Sequence, residues 1–151
     1  MPANRLGKLF ALVVAASAMV CAAGGRRVIK RIPIHGDYGW DYLTADSSGR
    51  RLYVSHDSEV VVIDLDSETI IGKVAGSNVH GVAVVPEVGK GFISSSDPGS
   101  ATVFDLTTLA VTGRVRVGDD PNAIFYDPYT KRVYTIDRGS QRVTAINPAT
   151  G

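Results

Sequence analysis

One cysteine, one tryptophan and two methionines are all that this 151-residue chain holds of those types. The cysteine, Cys21, falls in an N-terminal stretch expected to be removed. Its loss leaves no thiol for a disulfide, a cysteine zinc site or a cysteine nucleophile. Charge of one sign is scarce as well: 16 Lys and Arg stand against 15 Asp and Glu. That balance gives no long-range field for drawing in nucleic acid or an anionic membrane, so nucleic acid is not an expected partner. Beyond the N-terminus no run has the 3.6-residue periodicity of a helix, which argues against alternating βαβ organisation. Gly-rich phosphate loops before a helix, HExxH, EF-hand loops and nucleophile elbows are all missing. No catalytic residue, metal set or cofactor is assigned.

What is present begins with export. Arg5 and Lys8 supply a positive start, residues 9–20 are almost wholly apolar, and Ala22-Ala23-Gly24-Gly25 offers small residues for cleavage. That is the layout of a secretory signal peptide, and its apolar run is shorter than the ~20 residues of a spanning helix. The expected domain organisation is a signal peptide over 1–24 and one all-β domain over 25–151. No transmembrane anchor remains after cleavage, and the expected location is periplasmic or secreted. Residues 1–24 carry Arg5 and Lys8 and no acid, so their removal turns a formal charge of +1 into −1.

The 16 glycines sit between apolar runs and read as turns. From Gly36 onward the sequence repeats itself. Arg51-Leu52-Tyr53-Val54-Ser55 aligns with Gly91-Phe92-Ile93-Ser94-Ser95 and with Arg132-Val133-Tyr134-Thr135-Ile136. Val62-Ile63-Asp64-Leu65 aligns with Val103-Phe104-Asp105-Leu106 and Ala145-Ile146-Asn147-Pro148. A period near 40 containing only β-type patterns predicts β-propeller blades of four antiparallel strands. Strand A is read at 42–45, 82–85 and 123–126, apolar on both faces as a buried innermost strand should be. Strand B carries Tyr53, Phe92 and Tyr134, expected in the blade-to-blade core. Strand C covers 60–64, 101–105 and 142–147. Strand D covers 69–75 and 110–117 and is more polar, as suits an outer edge.

Blade one spans 36–75, blade two 76–118 and an incomplete blade three 119–151. Residues 28–34 resemble strand D and precede the first strand A, so they form an orphan outer strand. The propeller is thus incomplete, at about two and three-quarter blades plus that strand, whereas closed rings hold about 4–8 blades. The preferred expectation is a piece of a longer propeller. The alternative is a homodimer by strand exchange, two chains closing a six-bladed ring.

The repeat resembles the YVTN-type (YncE-like) bacterial β-propeller repeat, truncated. The carriers are His80-Gly81-Val82-Ala83-Val84, residues 48–55 (SGRRLYVS), Val62-Ile63-Asp64 and Ala149-Thr150-Gly151. The resemblance covers residues 28–151. It implies an exported propeller, typically of seven blades. One branch of the family is associated with DNA binding, and relatives by fold include quinoprotein dehydrogenases and lactonases.

Position along the blade assigns faces. The D–A and B–C loops emerge on one side of the disc, the A–B and C–D turns on the other. Asp41, His80 and Asn122 are equivalent at the start of strand A. His56, Ser95 and Asp137 are equivalent in the B–C loop, with Asp57, Asp97 and Arg138 beside them, and Trp40 stands ready as an aromatic wall. Trp40, Asp41, His56, Asp57, His80, Asp97, Asn122, Asp137 and Arg138 are therefore the candidate ligand face at the channel mouth. Asp and His there suit acid–base work, although polar residues at strand starts also cap turns. Asp64, Asp105 and Asn147 recur at the end of strand C and are expected to hold turns. Ser94-Ser95-Ser96-Asp97 together with His56 or His80 supplies the residue types of a Ser/His/Asp set without its geometry. The expected function is a binding or scaffold module of the cell envelope with an unknown ligand or protein partner. The alternatives are a lactonase- or quinoprotein-like enzyme and a single-stranded DNA binder.

Overall fold

The computed structural model describes residues 25–36 and 39–150. The expected signal peptide, Cys21 and Gly151 lie outside the described residues. Among those described, the strands form three antiparallel sheets in chain order. Blade one is β1 (Trp40–Asp46), β2 (Arg51–His56), β3 (Glu59–Asp64) and β4 (Thr69–Ala75). Blade two is β5 (Val79–Val85), β6 (Lys90–Ser95), β7 (Ser100–Asp105) and β8 (Val111–Arg116). Blade three is β9 (Pro121–Asp127), β10 (Arg132–Asp137) and β11 (Arg142–Ile146). Each is a meander of sequential neighbours, as the 40-residue period requires.

The turns are made by the residues that recur. Asp64 accepts hydrogen bonds from the N–H groups of Asp66 and Ser67 and from the Ser67 hydroxyl. Asp105 does the same for Thr107 and Thr108, and Asn147 accepts from the Ala149 N–H. Asp46 and Asp127 hold the A–B turns in this way, while blade two uses a short 3-10 helix over Pro86–Val88. A side-chain oxygen two or three residues before an amide closes a turn without a second strand.

The strands alternate, so each sheet offers one face to each neighbour. Tyr53, Val60, Val62 and Val74 of blade one meet Val79, Val82, Ile93 and Phe104 of blade two. On the opposite face of blade two, Ala83, Val85, Phe92, Ala101 and Val103 meet Ile124, Val133 and Ile146 of blade three. Burying each large side chain contributes about 1.5–3 kcal/mol. Gly91 makes the first joint possible: the Phe104 ring lies where a Cβ would stand, 2.1 Å from the ideal position. A basic side chain at the start of strand B ties each joint on the turn side. Arg51 donates to the Leu106 carbonyl, and Lys90 donates to the Pro148 carbonyl at 3.3 Å.

Two expectations change. Strand A is buried only in β5, which has a blade on both sides; β1 is mostly exposed and β9 partly so. Apolar sequence marked the strand correctly, but burial follows the number of neighbouring blades. The outer strand expected over 28–34 is not formed: those residues carry no strand and join none of the three sheets. Ile32 and Ile34 nevertheless pack on Val54, Val61 and Ile63 of blade one. Val115 and Val117 of blade two pack against the cluster that blades two and three share.

Candidate functional site

The D–A and B–C loops meet on one side through a backbone bond that recurs in every blade. The Asp57 N–H donates to the Gly39 carbonyl, Ser96 to Asn78 and Arg138 to Asp120, at 3.0, 3.1 and 2.9 Å. The accepting residues all have positive φ: Gly39, Asn78 and Asp120 at 106°, 47° and 51°. Gly, Asn and Asp are the types that tolerate it most readily. This register pins the loop tips and carries their side chains inward.

A chain of polar contacts then crosses all three blades. Asp41 on β1 lies 2.7 Å from Nδ1 of His80 on β5, and His80 Nε2 lies 2.8 Å from the Ser96 hydroxyl. Ser96 reaches Asp120 at 2.6 Å, and Arg138 donates Nε and Nη2 to Asp120 at 2.9 and 3.2 Å. The Arg138 guanidinium, and after it the Ser96 hydroxyl, hold the Asp120 carboxyl below the ordinary value. Asp120 is therefore an acceptor at neutral pH, so the Ser96 proton points to it. Ser96 Oγ is left with its lone pairs facing His80 Nε2, and Asp41 faces Nδ1. The side chains of His80 and Asp41 are 14% and 33% exposed, those of Arg138 and Asp120 58% and 38%. The chain thus sinks at His80 and surfaces at its ends.

The predicted site residues separate into groups. Asp41, His80 and Arg138 join this network. Asn122 stands beside it, taking the Tyr42 hydroxyl at 3.5 Å, while its carbonyl accepts from Ser94 Oγ. Trp40 lies flat on His56, with ring centroids 3.9 Å apart, and keeps 43% of its surface exposed. His56 is buried beneath it and packed against Gly36, which makes it the floor of the face rather than a ligand group. Asp57 contributes backbone, since its carbonyl accepts the Val79 N–H. Asp97 is exposed and makes none of the network contacts. Asp137 is not at the channel mouth: it is fully buried, accepting from the Gly118 N–H and the Thr135 and Thr144 hydroxyls.

Two members fall outside the residues the sequence placed on the ligand face: Asp120, and Ser96, which is read only within the Ser94-Ser95-Ser96-Asp97 run. Ser96, not Asp97, is the repeat equivalent of Asp57 and Arg138, as the shared backbone bond shows. Counting one residue on from His56, Ser95 and Asp137 would have found it. Asp120 shares its place with Gly39 and Asn78, and its signal was residue type at a left-handed position. Asp41, His80 and Ser96 stand at the spacings of an acid, base and nucleophile relay. The second carboxylate competes with His80 for the hydroxyl proton, and a Ser96 that donates to Asp120 is held as a strut between the two. Among the described residues no three His, Cys, Asp or Glu side chains are grouped to hold a metal.

No family model matches the chain, and no curated protein matches it. Solved structures do. Hydrazine synthase of Kuenenia stuttgartiensis matches 80% of this chain at 22% identity and a TM-score of 0.60. The dihydro-heme d1 dehydrogenase NirN matches 76% at 18% identity with a TM-score of 0.64. The Swd1 β-propeller domain of Myceliophteria thermophila matches 68% at 14% identity and 0.56. The matches span 37%, 26% and 32% of those chains. At such identities the likeness speaks for fold alone, and with three antiparallel blades already in view it makes this chain part of a β-propeller.

Proposed function

We propose that the chain is a ligand-binding module of a β-propeller, exported to the cell envelope, with its ligand on the loop face over the Asp41–His80–Ser96–Asp120–Arg138 network. The observation that carries this reading is convergence: polar side chains from three blades meet in one place, and the more exposed ends of the network flank a half-buried histidine. Propeller ligands generally sit where loops from several blades meet around the axis. The network balances two carboxylates against an imidazole and a guanidinium. That favours a ligand offering both donors and acceptors, such as a sugar or a short peptide backbone, over a polyanion. The exposed Trp40 ring adds a flat apolar surface beside it. The YVTN-type resemblance and the N-terminal export pattern support the envelope setting.

The test is a thermal-shift and NMR titration of the purified protein against oligosaccharides and short peptides. Binding is expected to disappear in Asp41→Ala/His80→Ala and to persist in Asp64→Asn on the far face. A ligand bound equally by the double variant, or no binder in either class, overturns the reading. The same two distances at His80 favour a second reading, a hydrolase acting through Ser96. That reading requires fluorophosphonate labelling of Ser96 that Asp120→Asn increases, and an unlabelled serine in both proteins removes it.

A further inference from the structure

We propose that the joint between blades one and two holds a second binding site on its turn side, a cleft for a free amino acid. The ligand's ammonium group would pair with Asp46 and its carboxylate with Arg51. This site lies on the opposite side of the blades from the Asp41–His80 network. The cleft measures about 410 Å³, ample for an amino acid. Asp46, Ser48, Gly49 and Arg51 of blade one bound it, and Pro86 and Leu106 of blade two face them. Its walls belong to two complete four-stranded blades.

The first ground is the Asp46 carboxylate. Asp46 is only 5% exposed, and Oδ1 alone takes its three turn bonds. These come from the Ser48 N–H, the Ser48 hydroxyl and the Gly49 N–H, at 3.0, 2.7 and 2.9 Å. Oδ2 accepts none of them. The equivalent turn of blade three is built differently. There Asp127 uses Oδ1 for the Tyr129 N–H and Oδ2 for the Thr130 N–H and hydroxyl. A buried carboxylate oxygen is ordinarily matched by a donor, so Asp46 offers a place for one. Gly49 keeps that place open: a Cβ there would stand 2.3 Å from Asp46 Oδ2.

The second ground is the place of the counter-charge. Arg51 stands opposite Asp46 in the strand register, yet its guanidinium crosses the joint and donates Nη1 to the Leu106 carbonyl. That bond uses one of the guanidinium's five N–H donors. Among the described residues no hydrogen bond or ion pair joins Arg51 to Asp46. The cleft thus presents a buried carboxylate and a guanidinium that do not neutralise each other. A molecule with an ammonium and a carboxylate on one carbon answers both. A polyanion would meet the Asp46 charge, and a simple amine would leave Arg51 unanswered. Leu106 packs on the core that the two blades share, and with Pro86 it gives the cleft an apolar wall. That wall favours an amino acid with an apolar side chain, such as leucine.

The experiment is an NMR titration of the isotopically labelled full chain with L-leucine, beside N-acetyl-L-leucine and L-leucinamide, which each lack one of the two charges. Amide shifts are expected at Ser48, Gly49, Arg51 and Leu106. Each analogue should bind about 10-fold or more weakly, since it loses a charge-assisted contact. Asp46→Asn retains the Oδ1 acceptor of the turn, as Asn147 does, and keeps the circular dichroism of the wild type. It should weaken L-leucine by about 10-fold or more. Gly49→Ala should weaken it as well, by covering Oδ2. Asp127→Asn, the same change in the equivalent turn of blade three, should bind as wild type does. No saturable shift up to about 10 mM L-leucine would overturn the proposal. So would shifts centred on Asp41 and His80, equal binding of N-acetyl-L-leucine, or undiminished binding in Asp46→Asn. The analogues are read on the wild-type protein, so the outcome does not depend on any variant folding.

Discussion

Gly91→Ala is the sharpest probe of how the blades fit. An added Cβ would stand 2.1 Å from Cζ of Phe104, 2.2 Å from Cε1 and 2.8 Å from Cε2. Carbon atoms rest at about 3.5–4.0 Å, so the ring must retreat by about 1.5 Å. It has nowhere to go, since Phe104 is fully buried and tilts against Tyr53 at a centroid distance of 5.8 Å. Overpacking of this kind costs about 1–3 kcal/mol, and alanine in a strand returns about 0.5–1 kcal/mol of it through chain entropy. A net loss of about 1–2 kcal/mol should lower Tm by roughly 3–8 °C for a domain of this size. Calorimetry or chemical denaturation reads the loss directly. Phe104→Leu in the Gly91→Ala background should recover part of it, giving a coupling energy of about 1 kcal/mol in the double-mutant cycle. A Gly91→Ala protein as stable as wild type, or a cycle with no coupling, would refute the account of the first joint.

Asp137→Ala should destabilise blade three by about 2–4 kcal/mol, because it strands the buried Gly118 N–H and two hydroxyls, and Asp137→Asn should cost less. Urea denaturation checks both. The Asp64, Asp105 and Asp127 carboxyls are held below their ordinary values, first of all by the Ser67 N–H, the Thr108 N–H and the Thr130 hydroxyl respectively. Their folded values lie below the unfolded ones, so their stabilisation is present above about pH 4 and is lost as pH falls through the folded values. The triple Asp→Asn variant should keep the turns, as Asn147 does, and lose less Tm than wild type between about pH 5 and 3. An equal loss in both would place the acid sensitivity elsewhere.

Much of the fold was legible because the repeat fixes it three times over. The strand D reading over 69–75 coincides with β4, and the Asp64, Asp105 and Asn147 turns are as the repetition implied. Burial was less legible. Residues 42–45 read as innermost strand, yet Tyr42 and Leu43 are 49% and 66% exposed, since periodicity reports a strand and not its neighbours. The candidate site was half legible. Equivalence brought Asp41 and His80 to one face, but equivalent positions do not imply equal roles: Asp137 turned inward while His80 reached across a joint. Several left-handed turn positions were also hidden. Gly89 announces one, whereas Arg50 and Lys131 hold the same place at φ 53° with side chains that give no hint of it.

The meander within each blade has a consequence for how the chain acquires its structure. Every ladder joins strands adjacent in sequence, so each sheet can form from about 40 residues without waiting for the rest. The joints come later and link only nearest neighbours, which gives the array the energetics of a one-dimensional stack. Blade two then has no independent existence: its two faces are completed by different neighbours. Amide hydrogens of β6 and β7 should therefore exchange last, and they should do so only when the blades on both sides come away.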